Sequence, residues 1–229
     1  MAVNIEAYQS IKDELDSKKV TLVAVSKTKP IGDIQTLYDL GHRDFGENYV
    51  QELVEKQNQL PNDIRWHFIG HLQRNKVKEI AAFVHLIHGV DSLRLLVEIN
   101  KQALKSGRTI PVLLQVHIAR EETKFGLDEN ELKEIVKSLS GLNNVSVIGL
   151  MGMASLTDDR EIIRKEFRYL KSLYDQLSLS AEPASRPSPT THHLQLTNLS
   201  MGMSNDYRAA IEEGSNMVRI GSLLFGARN

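Results

Sequence analysis

The sequence predicts a (β/α)8 TIM-like barrel, and three observations carry that expectation. Short apolar strands alternate with amphipathic helices eight times. The units recur about every 25 to 30 residues, the rhythm of a parallel sheet. The 229 residues match the ~250-residue norm of such a barrel. A doubly wound open sheet shares this rhythm, because periodicity does not show closure. No internal repeat divides the chain, so it reads as a single domain over 1–229 with an extra N-terminal helix.

The elements follow in order. Residues 4–18 carry a helical stripe of Ile5, Tyr8, Ile11 and Leu15. Strand one covers 20–26, apolar on both faces as a buried parallel strand requires. Pro30 takes the first helical position of a helix over 31–40, and Gly41 ends it. A second strand spans 42–45 and a helix 49–59. The third unit is a strand at 65–70 and a helix at 72–83. The fourth is a strand at 84–90, then Asp91 and Ser92 capping a helix over 93–105. Strand five spans 110–118, with a polar loop over 119–127 and a helix over 128–139. Strand six is 145–151, and the long helix after it runs 160–177. Residues 178–191 are rich in Ser, Pro, Ala and Thr and read as a flexible loop. Strand seven is 194–199, its helix 205–214, strand eight 217–221, and 222–225 has room for one helical turn.

Composition narrows the function classes. A net charge of −1 gives no basic face for nucleic acid. Without cysteine there is no disulfide, thiolate metal site or cysteine nucleophile. That suits a reducing cytoplasm. The N-terminus lacks a signal-peptide pattern, and no apolar run approaches the roughly 18 residues of a membrane span. None of the eight histidines falls in a metal-ligand spacing, so no metal is expected. The segment from Gly202 to Asp206 lacks the closing glycine of a hydrolase elbow.

In a barrel the chemistry follows the strands. Lys27 ends strand one, where partial desolvation favours a neutral, nucleophilic amine. Asn48 follows strand two. His67, Gly70 and His71 belong to strand three, and Asp91 and Ser92 to strand four. Lys124 lies on loop five, and Met151 and Met153 end strand six as pocket wall or core. Ser200, Gly202 and Ser204 follow strand seven; Arg219, Gly221 and Ser222 close strand eight. Ser204 reads as a helix N-cap, and Gly221-Ser222 opens a helical turn. Each alone is an ordinary cap. Together, in the loops after strands seven and eight, they form the recurrent phosphate site of barrels. A lysine beside a phosphate site suits a phosphorylated aldehyde held as a Schiff base, of which pyridoxal 5'-phosphate (PLP) is the commonest. Arg219 interrupts an apolar strand and needs a partner. That partner is a carboxylate such as Asp44 or, functionally, a pyridine nitrogen. Opposite an arginine the ring stays unprotonated and is a weak electron sink.

Several motifs then carry a resemblance. They are Ala24-Val25-Ser26-Lys27-Thr28-Lys29-Pro30, Phe45-Gly46-Glu47-Asn48-Tyr49-Val50-Gln51-Glu52, Trp66-His67-Phe68-Ile69-Gly70 with Leu72-Gln73-Arg74-Asn75-Lys76, Gly149-Leu150-Met151, Ser200-Met201-Gly202-Met203-Ser204 with Asp206, and Val218-Arg219-Ile220-Gly221 with Phe225-Gly226-Ala227-Arg228. In this order, end to end, they resemble the pyridoxal phosphate homeostasis protein family, related to the N-terminal barrel of alanine racemase. The resemblance implies that Lys27 carries the cofactor, that Ser204, Gly221 and Ser222 hold its phosphate, and that Arg219 faces the ring nitrogen. It implies Asn48 as a pocket residue. Lys29 shares the strand face of Lys27 if the segment is extended, and periodicity does not separate the two. The implied function is PLP (vitamin B6) homeostasis in the cytoplasm, by a monomer that binds B6 vitamers without established turnover. The alternatives are a PLP-dependent racemase-like enzyme and a cofactor-independent Schiff-base aldolase. Against the racemase stands the expectation that no further domain follows strand eight to supply a second base. The 178–191 segment is longer and richer in Pro and Ser than the family pattern.

Overall fold

In the computed structural model, which describes residues 3–121, 125–180 and 194–226, eight parallel strands close in chain order into a barrel. The strands are β1 (Thr21–Val25), β2 (Asp44–Glu47), β3 (Arg65–Phe68), β4 (Leu86–Val90), β5 (Ile110–Gln115), β6 (Val145–Met151), β7 (Leu194–Met203) and β8 (Met217–Ile220). The helices are α1 (Ile5–Ser17), α2 (Ile31–Asp39), α3 (Val50–Gln57), α4 (Val77–Ile80), α5 (Leu93–Lys105), α6 (Glu129–Lys137), α7 (Arg160–Ser180), α8 (Tyr207–Glu212) and α9 (Ser222–Phe225). Closure is made by β1 on β8, which sets Val23 beside Arg219. The open-sheet alternative is thereby excluded.

Strand alternation explains the two-faced apolar pattern. Val23, Leu86, Leu113, Met151 and Met217 pack together inside the barrel. Their neighbours Leu22, Ala24, Ile87, Leu114 and Val218 join the larger core outside the sheet. Burying each large aliphatic side chain contributes roughly 1.5–3 kcal/mol. Lys27 follows two residues after the end of β1 and lines the cavity together with Val25. The helix starts are chemically specified. Asn4 Oδ1 caps α1 through the Ala7 N–H, Ser92 caps α5, and Asp128 with Glu131 forms a capping box on α6. The extra helix α1 is tied to the end of the chain by the Asn4 N–H on the Leu224 carbonyl at 2.8 Å.

Several boundaries differ from expectation. Pro30 is the N-cap of α2, not its first helical residue. Over 72–83 there is no continuous helix: a 3-10 turn, Arg74–Lys76, leads into the four-residue α4. Residues 73–76 are all polar and offer no stripe to bury, and Arg108 takes the Ala81 and Val84 carbonyls at 2.8 Å each. Strand β7 continues to Met203, because Ser200 and Gly202 lie in the barrel wall and not in a loop. Helix α7 continues to Ser180, so 178–180 are not loop. Tyr174 anchors that end on the Leu196 carbonyl, and Pro183 is the first helix breaker. The remainder of the expected 178–191 loop lies outside the described residues, as does Lys124. Among the described residues no helix is long and apolar enough to cross a membrane.

Candidate functional site

At the carboxyl ends of the strands lies a cavity of about 900 Å³, within the range of small-molecule sites. Lys27, Asn48, Ser204, Arg219, Gly221 and Ser222 all line it. Its charged lining comprises Lys27, Lys29, Arg160 and Arg219 against Asp158 and Asp206, an excess of positive charge that suits an anion.

The segment bearing Lys27 is a tight turn, not a strand extension. The Lys29 N–H returns to the Ser26 carbonyl at 3.0 Å, and Thr28 sits at φ 62°. A β-branched residue in that left-handed region is strained. Both lysines line the cavity, and the two are distinguished by the contacts of Lys29. Lys29 Nζ reaches the main-chain carbonyls of Phe225 and Gly226 at 2.8 and 3.3 Å. Its ammonium thus ties β1 to the last helical turn.

A buried ionic cluster holds the turn from below. Lys56 Nζ donates to the Ser26 carbonyl, to Glu47 Oε1 and to Glu52 Oε1 at 2.7–2.8 Å. Ser26 Oγ donates to Glu47 Oε1 at 2.6 Å, and Glu52 Oε1 accepts the Thr28 N–H, also at 2.6 Å. Burial pushes the Glu47 carboxyl up to about 7, although Lys56 and Ser26 bond to it. Sequence reading missed Lys56; a lysine among the apolar positions of the α3 stripe was the available signal.

Arg219 is buried on the floor of the cavity. Nη1 donates to the Ser200 carbonyl at 2.9 Å and to Ser200 Oγ at 2.6 Å; Nη2 donates to the Gly152 carbonyl at 3.1 Å. The proposed Asp44 partner is refused. Asp44 pairs instead with Arg65 and His67 at the opposite end of the barrel. Burial among neutral partners lowers the Arg219 guanidinium to about 10, which leaves it cationic at neutral pH.

Ser204 does not cap α8; Asp206 is the N-cap residue. Ser204 Oγ instead accepts the Gly221 N–H at 3.3 Å and so joins the two loops. Ser222 is the first residue of α9, and the first N–H returning to the Gly221 carbonyl is that of Leu224. The N–H groups of Ser222 and Leu223 therefore precede the helical bonds. A Cβ on Gly221 would meet the Val25 side chain and carbonyl at 3.2 Å, so glycine permits this close seating. Asn48 Oδ1 is buried and makes no hydrogen bond, which marks a position for a ligand donor.

Most of the other strand-end candidates do not line the cavity. Ser92 is a cap; Met151 and Ser200 are buried in the wall and lumen. Gly70 packs where a Cβ would lie 2.3 Å from the Asn48 carbonyl oxygen. His71 bonds Asp91 at 2.9 Å and stacks on Phe125 at 4.1 Å between centroids. Met153 does line the cavity. Asp44, His67 and His85 bring possible metal-ligand atoms within 4.8 Å of one another, which no spacing in the sequence signalled. The Arg65 guanidinium already occupies that carboxylate.

Residues 4–229 match the family described as alanine racemase, N-terminal domain. A relative from Aquifex aeolicus named pyridoxal phosphate homeostasis protein is 42% identical over 208 residues, covering 90% of this chain and 86% of that protein. The structure of PipY of Synechococcus elongatus with PLP bound matches with a TM-score of 0.84 at 35% identity, over 96% of this chain and 99% of that one. Alanine racemase of Bartonella henselae, solved with covalently bound pyridoxal phosphate, shares the fold over 99% of this chain and 60% of its own, at a TM-score of 0.71 and 16% identity. The chain belongs to the pyridoxal phosphate homeostasis protein family.

Proposed function

We propose, on the premise of that membership, that the cavity holds pyridoxal 5'-phosphate and that the protein serves PLP homeostasis as a carrier or regulator. The observation that carries this reading is one of convergence. A lysine, a buried arginine, a buried unpartnered amide oxygen and two hydroxyl-bearing loops meet in one cavity with excess positive charge. The cofactor supplies an aldehyde for imine formation and a ring that acts as an electron sink.

Lys27 is the amine that would take the aldehyde. Ser204, Gly221 and Ser222 would bind the phosphate through hydroxyl and main-chain N–H groups, as loops seven and eight do in barrels. Asn48 Oδ1 would accept from a polar ring substituent. Arg219, a cation at neutral pH, would oppose protonation of the ring nitrogen and weaken the electron sink. That property favours holding the cofactor over carbanion chemistry. We further assign the protein to the cytoplasm as a monomer acting on B6 vitamers, not on nucleic acid or membrane. The cysteine-free sequence fits a reducing compartment.

The test is the visible spectrum of protein loaded with PLP, before and after borohydride, with peptide mapping of the label. An imine band that vanishes on reduction, with the label on Lys27, is expected. A featureless spectrum would remove the cofactor reading. Clear conversion of L-alanine to D-alanine would replace the carrier with a racemase.

A further inference from the structure

Beneath the cavity, a line of polar groups crosses the barrel lumen. Arg219 Nη1 meets Ser200 Oγ at 2.6 Å. Ser200 Oγ lies 3.3 Å from His88 Nδ1. His88 Nε2 lies 2.9 Å from His67 Nδ1, and His67 Nε2 lies 3.0 Å from Asp44 Oδ1. Arg65 closes the far end on Asp44. The five groups from Arg219 to Asp44 come from β8, β7, β4, β3 and β2, so the line runs from the cavity floor to the opposite mouth. Ser200, His88 and His67 are 0, 0 and 1% exposed.

The chemistry of the two ends sets the direction of the outer bonds. Arginine only donates, and ionised Asp44 only accepts. Burial opposes ionisation of Asp44, but the bonds from Arg65 and His67 outweigh it and hold the carboxyl well below the usual range. Burial, reinforced by His67 and Arg219, holds His88 well below the usual histidine range, and so neutral. Where each ring carries a single N–H, one assignment satisfies every group. Ser200 Oγ accepts from Arg219 and donates to His88 Nδ1. The His88 Nε2–H donates to His67 Nδ1, and the His67 Nε2–H donates to Asp44. Each bond in such a chain polarises the next.

We propose that His88 and His67 are positioning residues for Arg219: through Ser200 they hold the guanidinium in place at the cavity floor. This rests on the cofactor reading above. Without the imidazole acceptor, the Ser200 hydroxyl hydrogen has no partner in the lumen. It is then free to turn toward Arg219, where it opposes the guanidinium N–H. The guanidinium would then be held less firmly where a ring nitrogen would meet it.

The test uses full-length protein titrated with PLP, and reads the dissociation constant, the absorption of the bound cofactor and borohydride labelling. His88→Leu and Ser200→Ala should each weaken binding about tenfold, the scale of one buried hydrogen bond. Their bound spectra should move toward that of Arg219→Ala, with Lys27 still labelled. In His88→Asn the amide reaches the place of Nδ1 but not that of Nε2, so it should recover only part of the loss. In an Arg219→Ala background, His88→Leu should add nothing, whereas a general packing role would add its full effect again. Ser200→Ala loses only a hydroxyl and guards against misfolding of the histidine variant. Wild-type affinity and spectrum in Ser200→Ala, or undiminished loss in the Arg219→Ala background, would overturn the inference. Wild-type protein that takes no label on Lys27 would overturn the cofactor reading and this inference together.

Discussion

The two mouths of the barrel are built differently from similar residue types. At the amino end, the carboxylates find protein partners close by, although Trp66 Nε1 is buried without a hydrogen bond. Asp44 takes Arg65 and His67. Asp63 takes the Tyr38 hydroxyl and Arg43 Nε at 2.7 and 2.8 Å, with the guanidinium 3.8 Å above the Tyr38 ring. At the carboxyl end, Asn48 Oδ1 and Glu47 Oε2 are buried without hydrogen bonds, Arg219 has neutral partners, and Thr28 is strained. Groups left unsatisfied cost stability unless something else satisfies them. That contrast fits an amino end organised for folding and the ligand site proposed for the carboxyl end.

The sharpest test of that contrast is Lys27→Ala. It should abolish borohydride-stable labelling and leave the circular dichroism spectrum and thermal midpoint near wild type. Lys29→Ala should keep the label, because its ammonium serves the Phe225 and Gly226 carbonyls. Label retained in the Lys27 variant would move the site to another lysine.

Opposite pH dependences should mark the two ends. Burial holds His42, at the amino end, down to about 4, so the folded state binds fewer protons there than the unfolded chain. Its contribution is present above the ordinary 6.5 and is lost as pH falls toward 4. Glu47, raised to about 7 by burial, behaves inversely. Its contribution is present below the ordinary 4.5 and is lost as pH rises through 7. Denaturation series across pH should show His42→Phe flattening the acid limb and Glu47→Gln the neutral one, each by on the order of 1–3 kcal/mol. Parallel curves for wild type and variants would remove the distinction.

A smaller effect is expected at Thr28. Asparagine tolerates the left-handed region, so Thr28→Asn should stabilise the protein by about 1 kcal/mol in chemical denaturation. A loss of stability there would mean that the turn is not strained. The smallest effect is expected from Asp63→Ala. This exposed carboxylate should change the thermal midpoint at the edge of detection and leave cofactor affinity alone.

Much of the fold was legible because the decisive signals are local. The position of Lys27 at the end of strand one pointed to the site, and the Ser92 and Asp128 residues marked helix starts. Strand β6 and the turn at 222–225 stand where periodicity set them. The lining of the candidate cavity was legible for the same reason, since barrels put their chemistry at strand ends. The missed features have non-local causes. Ser204 reads as a cap beside Asn205 and Asp206, yet its hydroxyl accepts from Gly221, 17 positions away. Arg219 was offered Asp44 by charge alone, while geometry gave it Ser200. Lys56 looked like one more polar residue on a helix.

By itself, the sequence determined the eight βα units, the faces of each strand and the residue types at their ends, because backbone periodicity and caps act over a few residues. Only the tertiary structure decided that the sheet closes, that after a left-handed turn at Thr28 the Lys29 ammonium serves the Phe225 and Gly226 carbonyls, and that two histidines bridge the lumen. Ser200 and His88 stand 112 positions apart. No local pattern encodes such a bond; it exists because closure brings β4 and β7 within reach of each other across a lumen too narrow to leave their polar groups unpaired.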